Sequence, residues 1–490
     1  MRASTGPTFP RALLVVAGSA VLPGLGHLLL GRRRAGVAIM GASLSGVYAI
    51  TVIAVRTDRA ELLQHLVSAP TLVAVTVVCL LAAAAWTAVI VRTYQLARPR
   101  SWSNGRQVVG VGLVVVLCAV VALPLGIAAN LAHSQRSLLN SVFASGSGSG
   151  GADGSQPEGE VLPPRLNLLL LGSDAGPDRE GTRTDTMIVA SIDTETAATV
   201  LFALPRNIQD APFPGGSPAA AEFPDGFPRL LNAVYGYGAA HPDLAPAEPT
   251  DDPGANLLMS SISHMLGLDL HHYVMVDMAG LEAVVDALGG VTVDVGSEPL
   301  PIGGVTYSGR LVEPDGWLQP GVHHLNGFEA LWYARSRRNS DDYDRMGRQR
   351  CLIQAMVTQN SPADLLLRFR SVADATTDSI TTDIPQHLLP PLVTLVDEHF
   401  PPQLRTVSFD PDLPDPSDPE ATFRPARPDI PLMRQVVDAA LVDESRADQA
   451  TAARPAPATT APAATAPAAG APAAPTPVEP TCGATPNHPG

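Results

Sequence analysis

Asn167-Leu-Leu-Leu-Leu-Gly-Ser-Asp174 decides how the soluble half of this chain is read. The apolar run Leu166–Leu171, stopped by Gly172-Ser173-Asp174, is the pattern of a buried strand. Its neighbours continue the pattern. Thr186–Ile192 and Thr199–Leu204 are β-rich runs joined by the turn Asp193-Thr194-Glu195-Thr196. Tyr273–Met278 reads as a further strand, Ala279–Leu288 as a helix stopped by Gly289-Gly290, and Val291–Val295 as a strand again. Arg345–Gln359 is amphipathic, with Met346, Ile353 and Val357 near one face. Strands mixed with helices predict a layered α/β sandwich, an αβα arrangement over residues 161–440.

Charge divides the 490 residues sharply. Residues 1–136 hold 12 Arg against only Asp58 and Glu61, a formal +10, whereas the rest holds 20 Arg against 45 acidic residues, a formal −25. A soluble part that acidic is repelled by polyanions, so no nucleic-acid partner is expected and any anion site must be a local Arg cluster. All 32 basic residues are Arg. The absence of lysine excludes a P-loop, Schiff-base chemistry and Ser–Lys hydrolysis.

The first 136 residues predict a helical membrane region. Ala35–Val55, Ala69–Val91 and Gln107–Ala132 are uncharged and long enough to span, since about 20 apolar residues cross a ~30 Å hydrocarbon core. A fourth stretch, Ala12–Gly31, is interrupted by Pro23, Gly24 and Gly26, which suits a broken or re-entrant helix. Arg32, Arg33 and Arg34 flank one turn and Arg98, Arg100 and Arg106 another, so both belong inside. The last span then exports everything after it. The expected localisation is the cell membrane, multi-pass, with the large domain extracytoplasmic. The N-terminus is inside if the first stretch is re-entrant and outside if it spans.

Residues 137–160 form a Gly/Ser-rich linker, in which Gly146, Gly148 and Gly151 make a GxGxxG with no strand before it and no helix after it. Residues 441–490 are a Pro/Ala/Thr-rich tail too poor in apolar bulk to fold. No CxxC or HExxH occurs, so a zinc site has no support. Cys79 and Cys118 lie in apolar runs. Cys351 and Cys482 are the pair outside them, and an exported compartment favours a disulfide between the two.

Asp174 sits where a buried strand ends, the place where open α/β sheets put ligands. Arg183 and Asp185 are two apart, so an extended backbone points both the same way. Arg206 follows the third strand. Residues 335–350 hold six Arg, namely Arg335, Arg337, Arg338, Arg345, Arg348 and Arg350, while 230–309 hold none. Arg335 and Arg337 share a face if extended, and Arg345 and Gln349 share a helical face at i,i+4. Asp341, Asp342 and Asp344 lie between them and suit helix capping. The net Arg excess suits a pyrophosphate, whose oxygens guanidinium groups bind in pairs, and acidic residues beside it suit Mg²⁺.

These blocks resemble the LytR–CpsA–Psr family. Asn167–Asp174, the Arg183/Asp185 pair and Leu204-Pro-Arg206 are similar to its opening. Leu231-Asn-Ala-Val-Tyr-Gly-Tyr-Gly238, His272-Tyr-Val-Met-Val-Asp277 and Val285-Asp-Ala-Leu-Gly-Gly-Val291 follow in family order. His324-Leu-Asn-Gly327, Tyr333-Ala-Arg-Ser-Arg337 and Asp344-Arg345…Arg348-Gln349 close the match. The resemblance implies an αβα sandwich holding a polyprenyl chain in an apolar cavity. It also implies Mg²⁺-dependent transfer of a phosphate-linked glycopolymer from a polyprenyl-pyrophosphate carrier to peptidoglycan beside the lipid bilayer. By position, Asp174, Asp185 and Arg183 are implied as catalytic, with the two carboxylates on the metal. Arg206, Arg335, Arg337, Arg345 and Gln349 are implied to hold the pyrophosphate. Asn207 and Asp210 depart from the family pattern, and the Pro-rich insertion Ala211–Pro228 beside them is expected to act as a lid. A polyprenyl-pyrophosphate hydrolase with the same site, and a non-catalytic lipid-binding or regulatory envelope protein, are the alternatives.

Overall fold

The computed structural model describes residues 8–58, 62, 64–65, 67–98, 102–143, 162–174, 182–305, 311–337, 340–361, 379–415 and 418–452. The expected linker is corrected at its start, since residues 137–143 are still helical. Its remainder from 144, together with Arg338, Cys482 and most of the expected tail, lies outside the described residues. The chain forms two compact units, Met1–Ser137 and Leu138–Gly490.

The first unit contains α1 (Phe9–Val21), α2 (Leu25–Leu29), α3 (Arg33–Arg56), α4 (Ala69–Ala97) and α5 (Asn104–Phe143), the last running on into the second unit. Among the described residues, three helices are long and apolar enough to cross a membrane, over Arg33–Ile53, Ala69–Ala97 and Asn104–Ser137. They coincide with the three expected stretches. The fourth is broken, as its Pro and Gly residues require: α1 ends before Pro23, and Gly24, at φ 96°, turns the chain into α2.

The second unit is built on β1 (Arg165–Ser173), β2 (Thr184–Asp193), β3 (Thr199–Leu204), α6 (Pro218–Glu222), α7 (Val234–Ala240) and α8 (Pro253–Leu266). β4 (His272–Val276), α9 (Met278–Ala287), β5 (Val291–Asp294), β6 (Leu300–Val305), β7 (Leu311–Leu318) and β8 (Val322–Leu325) follow. α10 (Gly327–Arg335), α11 (Asp342–Gln359), β9 (Ile380–Thr382), α12 (Leu389–Glu398), β10 (Leu404–Ser408) and α13 (Ile430–Ala452) complete it. Six strands form a sheet in the order β10-β3-β2-β1-β4-β9. The sheet is mixed: β1 pairs β4 in parallel and β2 in antiparallel fashion, and β10 runs parallel to β3.

Burial explains the layering. All six residues of β3 are buried, which requires cover on both sheet faces. Leu169, Val189 and Phe202 share one core with Leu258 and Ile262 of α8 and Met433 and Val437 of α13. Ile188, Ala190, Leu201 and Ala203, of the opposite parity, share another with Met346 of α11. The αβα sandwich follows. A smaller core joins α9, α10 and Leu352 of α11 to β5–β8.

Three further expectations are corrected. The strand expected over Tyr273–Met278 stops at Val276, because the Asp277 carboxylate accepts from Gly280 N at 2.7 Å and starts α9 at Met278. The sandwich does not end at residue 440, since α13 continues to Ala452 and Glu444, 2% exposed, is paired with Arg165 of β1. The insertion Ala211–Pro228 is core rather than lid. Ala211 bridges Phe227, and Phe223 meets Phe227 edge to face at 5.5 Å. Phe227 is fully buried. Phe227→Ala is therefore expected to cost about 3–5 kcal/mol in denaturant unfolding. A loss below about 1 kcal/mol would restore the lid reading.

Candidate active site

The site forms where β1, β2 and β3 reach one end of the sheet. Register there is broken: Gly172 faces Thr186 but Ser173 faces Thr184, so Asp185 is the extra residue of a β-bulge. A regular strand would turn Asp185 to the face of Met187, toward α8; the bulge re-aims it. Beside it, Asp174 is bonded twice to the backbone of Arg183. Its Oδ1 accepts from Arg183 N at 3.0 Å, and its own N–H donates to Arg183 O at 3.1 Å.

A cavity of about 820 Å³ opens at this point, walled by the sheet and by α9, α10 and α11. Asp174, Arg183, Asp185, Arg206, Arg335, Arg337, Arg345 and Gln349 all line it, so every expected catalytic and pyrophosphate-binding position reaches one space. Along α11 the lining passes from Arg345 and Gln349 to Leu352, Ile353, Met356 and Val357. At 1.5 Å per residue this is a run of about 18 Å from charged to apolar wall.

Charge is shared tightly at the polar end. Arg206 donates to Asp185 Oδ1 at 2.9 Å and to Asp342 Oδ2 at 3.2 Å. Arg345 donates to the Asp185 carbonyl at 3.3 Å and to Asp342 Oδ2 at 3.1 Å. Arg337 stands 3.7 Å from Asp185 and 3.6 Å from Asp342. Three guanidinium groups thus meet two carboxylates, leaving a net positive charge. Arg345 is only 2% exposed, and its buried Nε has no hydrogen-bond partner among the described residues. Such a donor is satisfied by an anionic oxygen entering the cavity.

Burial pushes the Asp185 carboxyl up, but Arg206, the Asn232 amide and Arg345 outweigh it and hold the group below its ordinary range. Burial pulls Arg345 down, and the neighbouring charges of Arg206 and Arg337 act in the same direction against Asp342. Asp185 is therefore a fixed anion rather than a proton carrier near neutral pH.

The six-Arg run divides. Arg335 ends α10 in helical rather than extended backbone, with its guanidinium over the Trp332 ring at 5.2 Å, and Ser336 turns the chain so that Arg337 still reaches the cavity. Arg348 turns inward and donates to the carbonyls of Tyr333 and Ser336, fixing the end of α10. Arg350 is half-buried near Asp410 instead. Asp341 caps α11 in a capping box with Asp344, whereas Asp342 anchors three arginines. Sequence reasoning missed that role and missed Asn232, which donates to Asp185 at 3.1 Å. Only the i,i+3 spacing of Asp342 and Arg345 was legible. Asn207 and Asp210 do not line the cavity. Cys351 is buried and disulfide-bonded, and its expected partner Cys482 lies outside the described residues.

Residues 158–400 match the model of the LytR_cpsA_psr family. The chain carries a LytR–CpsA–Psr domain. The polyisoprenyl-teichoic acid–peptidoglycan teichoic acid transferase TagU of Enterococcus faecalis is 30% identical over 224 residues, 45% of this chain and 61% of that protein. Biofilm regulatory protein A of Streptococcus mutans is 27% identical over 225 residues, 45% of this chain and 50% of that protein. The chain thus spans 50–61% of the length of these curated relatives. TagV from B. subtilis, a crystal structure, is 22% identical with a TM-score of 0.41, covering 57% of this chain and 96% of that one.

Proposed function

We propose that this chain transfers a phosphate-linked glycopolymer from a polyprenyl-pyrophosphate carrier to peptidoglycan in cell-wall assembly. The observation that carries the reading is a single cavity whose wall passes, over about 18 Å of α11, from an Arg/Asp cluster to apolar side chains. A pyrophosphate joined to a long hydrocarbon has that distribution of charge. The relative named for teichoic acid transfer to peptidoglycan supports the same reaction class.

Phosphoryl transfer asks a protein for alignment and charge stabilisation. Arg206, Arg337 and Arg345, already fixed on Asp185 and Asp342, hold the pyrophosphate, with Arg183, Arg335 and Gln349 around them. A sugar hydroxyl of peptidoglycan attacks the phosphorus next to the polymer, its oxygen–phosphorus bond forms, and polyprenyl phosphate leaves. Asp174, whose carboxylate accepts from the Arg183 backbone, takes the hydroxyl proton in this reading. Among the described residues no group of three or more His, Cys, Asp or Glu could hold a metal. Two carboxylates on one cavity nonetheless fit Mg²⁺, which takes one or two carboxylates and completes its shell with phosphate oxygens. Asp174 and Asp185 would hold it, and it would neutralise charge on the phosphates.

Purified protein given a defined lipid-linked donor and peptidoglycan is expected to yield a wall-linked phosphodiester and polyprenyl phosphate. Free polymer phosphate with no wall-linked product would replace transfer by hydrolysis. On this reading the chain is multi-pass in the cell membrane, with Arg-rich turns inside and the domain outside, facing the lipid carrier; the three long apolar helices support it. Ser147→Cys on intact cells is then expected to react with an impermeant thiol reagent. Labelling only after lysis would overturn both the orientation and the function.

A further inference from the structure

We infer that α1 and α2 form a re-entrant hairpin that enters and leaves the bilayer on the side of the Arg-rich turns, so that the segment before α1 lies inside. The inference rests on the multi-pass reading of α3, α4 and α5. At 1.5 Å per residue, the 13 residues of α1 reach about 20 Å, short of a ~30 Å core, and the five of α2 add no second span.

Both ends of the pair are fixed near the same end of α4. The Phe9 ring meets Trp102, just past α4, at 5.0 Å edge to face, and the Arg106 guanidinium lies over Phe9 at 5.9 Å. Ala12 and Val16 share a core with Ile90, Tyr94 and Ala97. At the far end of α1, Ser19 Oγ lies 3.1 Å from Thr93 Oγ1, and in α2 the ring of His27 lies 3.3 Å from the same oxygen. Trp86 is the earliest α4 residue packed on this cluster. Trp86 to Ala97 covers about 17 Å of helix, roughly half of the hydrocarbon core. The chain then leaves α2 for Arg32, Arg33 and Arg34.

A broken helix in lipid must satisfy the backbone groups it frees. Gly26 N–H, at the start of α2, donates to Ser19 Oγ at 3.0 Å. Ser19, Thr93 and His27 are all buried and satisfy one another, as polar groups between membrane helices must. The close approach depends on glycine. A Cβ on Gly26 would stand 2.2 Å from Ser19 Oγ and 2.9 Å from the Val15 carbonyl.

Cysteines introduced one at a time at Ser4, Asp58 and Ser103, in full-length protein lacking Cys79 and Cys118 and with that parent protein as the labelling blank, test the arrangement with an impermeant thiol reagent on intact cells. Labelling at 58, with protection at 4 and 103 until lysis, is the expected result. Labelling at 4 with the other two unchanged would overturn the hairpin alone. Protection at 58 or labelling at 103 would overturn the multi-pass reading beneath it. In the same background, Phe9→Cys with Trp102→Cys is expected to form an oxidative cross-link that Phe9→Cys with Thr57→Cys does not. A cross-link only in the second pair would put α1 at the other side of the bilayer.

Discussion

Asp185→Asn is expected to lower transfer by at least about 100-fold, the loss typical when one preorganised charge partner is removed from a transition state. The substitution keeps shape. An asparagine oxygen still accepts from Arg206 and Asn232, so the bulge and the sheet end persist, but three arginines then face one carboxylate instead of two. The pH dependence separates this charge from a generic defect. The folded-state pKa of Asp185 is depressed, so its stabilising contribution is complete above the unfolded value of about 3.9 and is lost as pH falls through the folded value. The stability gap between wild type and variant should therefore be constant near neutrality and close below about pH 4. Near-wild-type transfer by folded Asp185→Asn protein would remove Asp185 from the site.

Arg345→Lys is expected to cost about 1,000-fold or more in transfer, the scale associated with an arginine that stabilises a phosphoryl transition state. Lysine keeps the charge but not the fork. Arg345 holds the Asp185 carbonyl with one terminal nitrogen and Asp342 with the other, leaving Nε for the ligand. An ammonium on a flexible stem cannot span those three directions. Alanine is the poorer probe: Arg345 is 2% exposed, so truncation opens a hole and unpairs Asp342 from one of its arginines, confounding activity with folding. Thermal unfolding of the lysine variant beside its transfer rate separates the two, and transfer within tenfold of wild type would show that the fork is not needed.

The backbone of the sandwich was legible because its signals are local. Leu166–Leu171 and Thr199–Leu204 are apolar runs bounded by turn residues, and both became central strands. The Asp277 boundary was missed because an N-cap and a strand end look alike until the Gly280 amide is seen to point at the carboxylate. Arg345 and Gln349 were found because helical spacing alone puts them on one face. Asp342 and Asn232 were not, since each acts through a partner far away in sequence, Arg206 and Asp185 respectively. Arg348 and Arg350 show the converse: composition gathered six arginines, but packing buried Arg348 under α10 and turned Arg350 toward Asp410. The insertion after Asp210 read as a Pro-rich loop because three phenylalanines spaced through it reveal a core only once folded onto Tyr237.

Asp342 joins arginines contributed by the end of β3, the turn after α10 and the first turn of α11, and Asp185 adds β2 to the same knot. No local piece of the chain contains the site, so a locally unfolded molecule has no weak version of it. Ligand occupancy and global unfolding are then thermodynamically linked. A pyrophosphate ligand present at 100 times its Kd would add about 2.7 kcal/mol to the unfolding free energy, all of it through the native state. If the domain faces outward as proposed, beyond the reach of cytoplasmic chaperones, it would be most resistant to heat and proteolysis where its ligand is abundant, and most easily cleared where the ligand is scarce.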